Sequence, residues 1–420
     1  MSAGAGKGGP VGRLAGVAIP LADADIPGLD LFDPGFLADP FTRLAALAAE
    51  HPLARTPFGI VVLRYDDCQA VLRDPRLHQG IGLVQRMQGI TDEAFLARSR
   101  RSILSAEGEE HARLRKLVSR AFTPRATDRM RPFMRAVIER LVDGISPAGQ
   151  ADFVAAVSDP YPIPIICALL GAPEGDLPLF SRWATEILKS LGLNLVADLP
   201  AVLAAQEEMD RYVEALIERR RGEPGDDLLT DLIAAEEAGD RLSHDELVMM
   251  AEAVLLGGTD TTRNQLATGV WMFAQHPEQW RLLAERPDLA PGAADEVLRV
   301  HGVVRSTVRV ATGDVDVAGV TIPAGMLVAP SFAAANRDPA HFTDPMVFDI
   351  TRTPDRPHLG FGGGIHYCLG ASLARAELAE AFAVLARRLP GLRLDGEPAW
   401  RTPLGIQGPT SLPIRFDAGH

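Results

Sequence analysis

The segment FGGGIHYCLGASLARAEL, residues 361–378, narrows the possible folds more than any other part of this chain. Its consecutive glycines at 362–364 let the backbone turn tightly and come close to a flat partner. Cys368 follows, then Gly370, and the run ASLARAELAEAFAVLARRL begins at once with apolar residues at helical spacing. A thiolate just ahead of a helix start is favoured by the helix dipole and by free backbone N–H groups. The segment therefore reads as a loop presenting one charged sulfur to something large. Cys68 and Cys167 have no comparable setting and read as inert buried residues. An odd number of cysteines in so long a chain argues against a disulfide framework and for a reducing compartment, the cytoplasm.

Between about residues 40 and 300 the pattern is mostly helical. FTRLAALAAE, EHARLRKLVSRAF, MRPFMRAVIERLVDGI and QEEMDRYVEALIERRR repeat apolar residues three and four apart. Ser243 and Glu246 have the spacing of a reciprocal N-terminal cap, and the run behind them predicts one long helix from Ser243 past Trp271. Ala253, Gly257 and Thr261 would then share one face of it. Gly257 and Gly258 each cost about 1 kcal/mol relative to Ala in a helix interior, which room beside the helix and a local kink would explain. Strand signals are limited to GIVVLR (59–64), short runs within 308–330 and an irregular pair near 404–416. With no strand–helix alternation and no internal repeat, the expected architecture is one large, mainly α domain with a minor β region.

Charge narrows the possible partners. The chain has 42 Lys and Arg against 55 Asp and Glu, a net charge of −13, and so lacks the positive field that draws nucleic acid. No stretch reaches the roughly 18 apolar residues of a membrane helix, so no membrane anchor is expected and the protein should be soluble. Residues 1–19 read as a flexible tail. GAGKGG within them lacks the hydroxyl residue and preceding strand of a phosphate loop.

FGGGIHYCLG resembles the haem-binding loop of the cytochromes P-450, with Phe361, Gly362, Gly364, His366, Cys368 and Gly370 at matching positions. GGTDTT (257–262) is similar to the oxygen-binding stretch of that family's central helix. EVLR supplies Glu296 and Arg299 as the family's Glu-x-x-Arg pair, HARLR supplies His111 and Arg115, and Arg309 stands where another propionate arginine is usual. The blocks keep family order from about residue 20 to 415. The resemblance thus implies a single triangular, helix-rich haem domain with small β-sheets over 20–415, of the bacterial class.

The same resemblance implies that Cys368 is the ligand of a haem b iron (iron protoporphyrin IX), with Phe361 covering the thiolate side and amides after Cys368 bonding the sulfur. His111, Arg115, Arg309 and His366 become the partners of the two propionates, which need donors near an apolar pocket. Glu296 and Arg299, three apart on one helical face, take a structural role. Thr261 and Asp260 become the catalytic proton-delivery pair, Thr261 also being free to bond its own helix carbonyl. Substrate contacts fall, by position, on residues 77–95, Ala253, Gly257, Val303 to Thr307 (with Val304 and Arg305) and the turn around Ile406. Arg305 either reaches into the pocket toward an acidic substrate, turns outward, or pairs with a propionate. VHGVVRST departs from the Pro-rich stretch usual there, which leaves the substrate open.

The activity implied is a monooxygenase that splits O2 with two electrons from a separate ferredoxin or flavodoxin and its NAD(P)H reductase, placing one oxygen atom in a small organic substrate. A hydrogen-peroxide-using peroxygenase of the same fold and a non-catalytic haem sensor are the alternatives. Residues 111–131 hold seven basic side chains, Arg113, Arg115, Lys116, Arg120, Arg125, Arg129 and Arg131, against the single acid Asp128. This positive island on an acidic protein is the expected docking face for an acidic electron donor.

Overall fold

The computed structural model describes residues 18–192, 194–237, 242–401 and 405–418. The principal helices follow the apolar periodicity closely: α1 (Pro40–Glu50), α2 (Tyr65–Arg73), α3 (Glu93–Arg101), α4 (Gly108–Val118), α5 (Pro124–Ile145) and α6 (Pro162–Leu170). After them come α7 (Leu195–Gly222), α8 (His244–Gly257), α9 (Asp260–Gln275), α10 (Ala290–His301) and α11 (Ala371–Arg388). Local chemistry sets several starts. Thr123 caps α5 with Pro124 in its first turn, and the Ser243 side chain and Glu246 form the expected reciprocal cap of α8.

The expectation of one unbroken helix from Ser243 past Trp271 is corrected. The run divides at Gly258–Thr259 into α8 and α9. The two glycines there serve different ends. A Cβ at Gly257 would meet nothing within 4 Å, so this glycine borders open space, as expected. A Cβ at Gly258 would lie 2.0 Å from Ile166 Cδ1, so its role is close packing of α6 against the break.

Five short strands form the larger sheet: β1 (Leu53–Thr56), β2 (Gly59–Val62), β3 (Leu77–Gln79), β4 (Arg309–Ala311) and β5 (Leu327–Pro330), in the order β1-β2-β5-β4-β3. The antiparallel register of β3 and β4 sets Gln79 opposite Arg309. The strands near 404–416 do not pair with each other as expected. Pro409–Ser411 pairs with Ala399–Trp400, and Pro413–Arg415 pairs with Arg393–Leu394 and Gln150–Asp152. At the other end of the chain, residues 1–17 lie outside the described residues. Ile19, expected as the last residue of a tail, pairs instead with Val320, and Pro20 pairs with Thr321.

The main core is helical, and α11 lies within it, packed on α5 and α10. A smaller core joins the five-stranded sheet to α2 and includes the fully buried Cys68. Among the described residues no helix is long and apolar enough to cross a membrane.

Candidate active site

Cys368 sits at the end of a loop whose shape is written in its main chain. Gly362 (φ 69°) and Gly364 (φ 66°) occupy the left-handed region, and a Cβ on Gly364 would lie 1.9 Å from the Leu72 carbonyl oxygen. The Cys368 N–H donates to the Phe361 carbonyl at 2.9 Å, which brings the sulfur back over the loop. Gly370 is the N-cap of α11. Burial pushes the Cys368 thiol up, while the Gly370 amide, Arg115 and Arg375 pull it back toward thiolate. Phe361 lies beneath the Arg375 guanidinium at 4.6 Å, and Arg375 is itself held by Asp295 at 2.6 Å. Arg375 and Asp295 went unnoticed in the sequence because nothing marks a helix-surface arginine as a neighbour of a cysteine seven residues earlier.

The expected propionate partners come together beside this loop. The rings of His111 and His366 are 4.4 Å apart, and burial, with the charges of His366 and Arg115 adding, pushes His111 down to about 4. His366 Nε2 is 3.2 Å from Glu107, whose carboxylate also accepts from the Gln79 amide at 2.7 Å. Arg115 donates to the Tyr367 carbonyl at 2.5 Å, and Arg309 donates to Gln79 Oε1 at 2.8 Å and Thr307 Oγ1 at 3.0 Å. Burial lowers the Arg309 guanidinium to about 10. Among the described residues neither Arg115 nor Arg309 has a carboxylate at ion-pair distance. A buried cation without an anion is costly. Arg309, buried, and Arg115, half-buried beside Cys368, fit a dianionic, flat, iron-bearing group.

At the start of α9, Thr261 donates its hydroxyl to the Gly257 carbonyl at 3.0 Å, the alternative already open to it from the sequence. Asp260, its neighbour, is buried and held in ion pairs. Arg263 donates to it at 2.8 Å, Arg401 donates to both its oxygens at 2.9 Å each, and Asn264 adds a bond at 3.2 Å. Arg263 and Arg401 were absent from the residues expected here. The second lies 141 positions along the chain, and no local pattern could reveal it.

Ala253 and Gly257 lie on α8 ahead of the break. Val303 is buried and bracketed by two bonds, its N–H to Gln265 Oε1 at 3.0 Å and its carbonyl from the Gln407 N–H at 2.9 Å. Val304 is half-buried against the sheet core, and Ile406 is half-buried in the turn before Pro409. Arg305 lies over the Phe41 ring at 4.6 Å, and burial lowers it to about 10. Glu296 and Arg299 form a buried pair at 2.7 Å. Arg299 also donates to the carbonyls of Asn336, Pro345 and Val347, and Arg352 reaches Glu296 at 3.1 Å. That network ties α10 to the segment leading into the Cys368 loop.

Within the island at 111–131, Arg113 is bonded to Glu246, and Arg131 pairs with Asp128 and Glu380. Lys116, Arg120, Arg125 and Arg129 are exposed and make no ion pair among the described residues.

A helix-rich fold that presents one cysteine from a glycine loop at the start of a long helix, together with a broken central helix, defines the haem-thiolate class. Residues 288–390 match the family described as Cytochrome P450. The chain is 40% identical to luteothin monooxygenase of Streptomyces thioluteus over 94% of its own length and 97% of that protein. It is 39% identical to cytochrome P450 monooxygenase PikC of Streptomyces venezuelae, over 94% and 96% of the two chains. The crystal structure of CalO2 superposes with a TM-score of 0.87 at 32% identity, over 94% of this chain and 100% of that one. The chain belongs to the cytochrome P450 family, whose members carry a haem iron.

Proposed function

We propose that residues 20–415 form one haem b domain that works in the cytoplasm, receives two electrons from a ferredoxin or flavodoxin with its NAD(P)H reductase, and inserts one atom of O2 into a small organic molecule. The monooxygenase reaction itself follows from the family and its relatives, named as monooxygenases and hydroxylases. The observation carrying the site reading is the gathering of buried Arg309 and half-buried Arg115, neither paired with a carboxylate among the described residues, around the Cys368 loop.

Once bound, haem supplies an oxygen-activating iron, and thiolate ligation favours O–O cleavage. The chain's own residues do the rest. Cys368 is the ligand, with the Gly370 amide tempering the sulfur's charge. Arg115, Arg309, His111 and His366 hold the two propionates. Thr261 keeps a proton at Oγ1 beside the space that Gly257 leaves open, and Asp260 replenishes it. Ala253, Gly257, Val303, Val304 and Ile406 shape the substrate space.

The experiment is a ligand screen read by the ferric Soret band, beginning with the compounds named for relatives, mycinamicin IV and 6-deoxyerythronolide B. Turnover of any hit under ¹⁸O₂ should place one labelled atom in product and the other in water. Turnover driven by hydrogen peroxide alone, with no label from O2, would replace this reading with the peroxygenase. For the electron donor, the exposed Lys116, Arg120 and Arg125 are the residues to reverse to Glu, not Arg113, because Glu246 already holds Arg113. The reversal should slow reduction and flatten its salt dependence. An unchanged reduction rate would remove this face as the docking site.

A further inference from the structure

Both oxygens of the Asp260 carboxylate are committed, and the two arginines committing them are not equivalent. Arg263 is three residues away on α9 and moves with Asp260. Arg401 reaches in from the β-ladder that Ala399–Trp400 makes with Pro409–Ser411, and contacts both oxygens. Its own backbone N–H donates to the Gly408 carbonyl at 3.1 Å. Gly408 is pressed so close to α9 that a Cβ there would lie 2.2 Å from Asn264 Oδ1, and Asn264 in turn bonds Asp260. The preceding residue, Gln407, donates to Val303, which Gln265 of α9 holds from the other side. Arg401, the 405–408 turn, Val303 and the first turn of α9 are therefore one hydrogen-bonded unit, with Ile406 and Val303 among the residues read as touching substrate.

We propose that Arg401 is a positioning residue that couples occupancy of the substrate space to the freedom of Asp260. With the space empty, the turn sits against Asn264 and Arg401 pins both carboxylate oxygens, so the side chain is held in place against α9. A molecule pressing on Ile406 lifts the turn from α9 and carries Arg401 with it. Asp260 is then left with Arg263 and Asn264, both on its own helix, and its side chain is free to turn toward Thr261. The coupling rests on reading Asp260 and Thr261 as the proton-delivery pair.

The test uses the haem-loaded protein with two azole probes that differ in size, imidazole and 4-phenylimidazole. Amide hydrogen exchange at Arg401 and Gln407, and through Asp260–Asn264, should quicken about five-fold with the larger probe and stay unchanged with the smaller. In Arg401→Gln the Asp260–Asn264 amides should exchange faster without any probe and respond no further. NADH consumption without substrate should rise about five-fold in the same variant. Arg401→Lys, limited to one point contact, should fall between the two. It also serves as the readout if Arg401→Gln loses the thiolate-type carbon monoxide spectrum.

Exchange and idle consumption like those of the unaltered protein in both Arg401 variants would overturn the coupling and leave Arg401 an anchor. Thr261→Ala separates the two readings. If it uncouples turnover while the Arg401 variants change nothing, only this proposal falls. If it leaves coupling intact, the proton-delivery reading beneath the proposal falls.

Discussion

Around Cys368 the main-chain bonds of the loop run within residues 359–370: Gly362 N–H to the Leu359 carbonyl, Tyr367 N–H to Gly364, Cys368 N–H to Phe361, and the Gly370 amide to the sulfur. Around Asp260 the deciding partner comes from Arg401, while Gly258 depends on Ile166 and Glu252 on Arg98 and Asp210. One side of the site is held by main chain and glycine geometry, the other by charged side chains and close packing from distant elements. A main-chain scaffold resists all but a few substitutions, whereas a side-chain network can be retuned one residue at a time. The Cys368 loop is thus fixed and the surroundings of Asp260 are adjustable.

The sharpest way to challenge this contrast is Cys368→Ala. It should abolish turnover and remove the thiolate signature from the carbon monoxide spectrum, while circular dichroism shows the fold intact; a retained signature would place the ligand elsewhere. Thr261→Ala should keep that spectrum and still consume NAD(P)H, yet lower product formation about 10²-fold with hydrogen peroxide released in its place. The measurement is product and peroxide per nicotinamide oxidised, and equal coupling in both proteins would mean this helix start does not govern proton delivery.

The two glycines at the helix break separate packing from open space. Gly258→Ala should cost about 1–3 kcal/mol in a denaturant melt, because Ile166 is buried and has little room to yield. Gly257→Ala should leave stability unchanged or slightly improved and instead alter ligand-induced Soret shifts. The reverse ranking would relocate the crowding.

Glu252 gives the smallest effect at neutral pH. Burial, reinforced by Asp210 and opposed by Arg98, raises its carboxyl to about 9 from 4.5. The folded protein therefore holds a proton that the unfolded chain has already lost. That contribution is complete below about pH 4.5 and fades as pH rises toward 9. The lowered Asp210 works the opposite way, in acid below its ordinary 3.8, outside this window. Glu252→Gln should flatten the decline in melting temperature between pH 5 and 9, and an unaltered slope would show that another group sets it.

The Cys368 loop, the Glu296–Arg299 pair and the Ser243 cap were all readable from residue order, and for a common reason: each is a local geometry in which spacing along the chain is also spacing in space. Three glycines before a cysteine, two charges three apart on a helix, and a serine three before a glutamate take shape mainly from neighbours in the chain, with Leu72 and Arg115 then seating the Cys368 loop. The division of the predicted long helix, the path of the strands near the C-terminus and the fate of Arg305 and Arg113 could not be read this way. Each turned on which side chain arrived from elsewhere: Ile166 against Gly258, Gln150–Asp152 beside Pro413–Arg415, Phe41 beneath Arg305, Glu246 on Arg113. Residue order alone thus gave the class of chemistry, the shape of the Cys368 loop and most helices. Tertiary structure alone decided what holds Asp260, because an ion pair depends on distance through space, and 141 residues of chain leave that distance undetermined until the fold has closed.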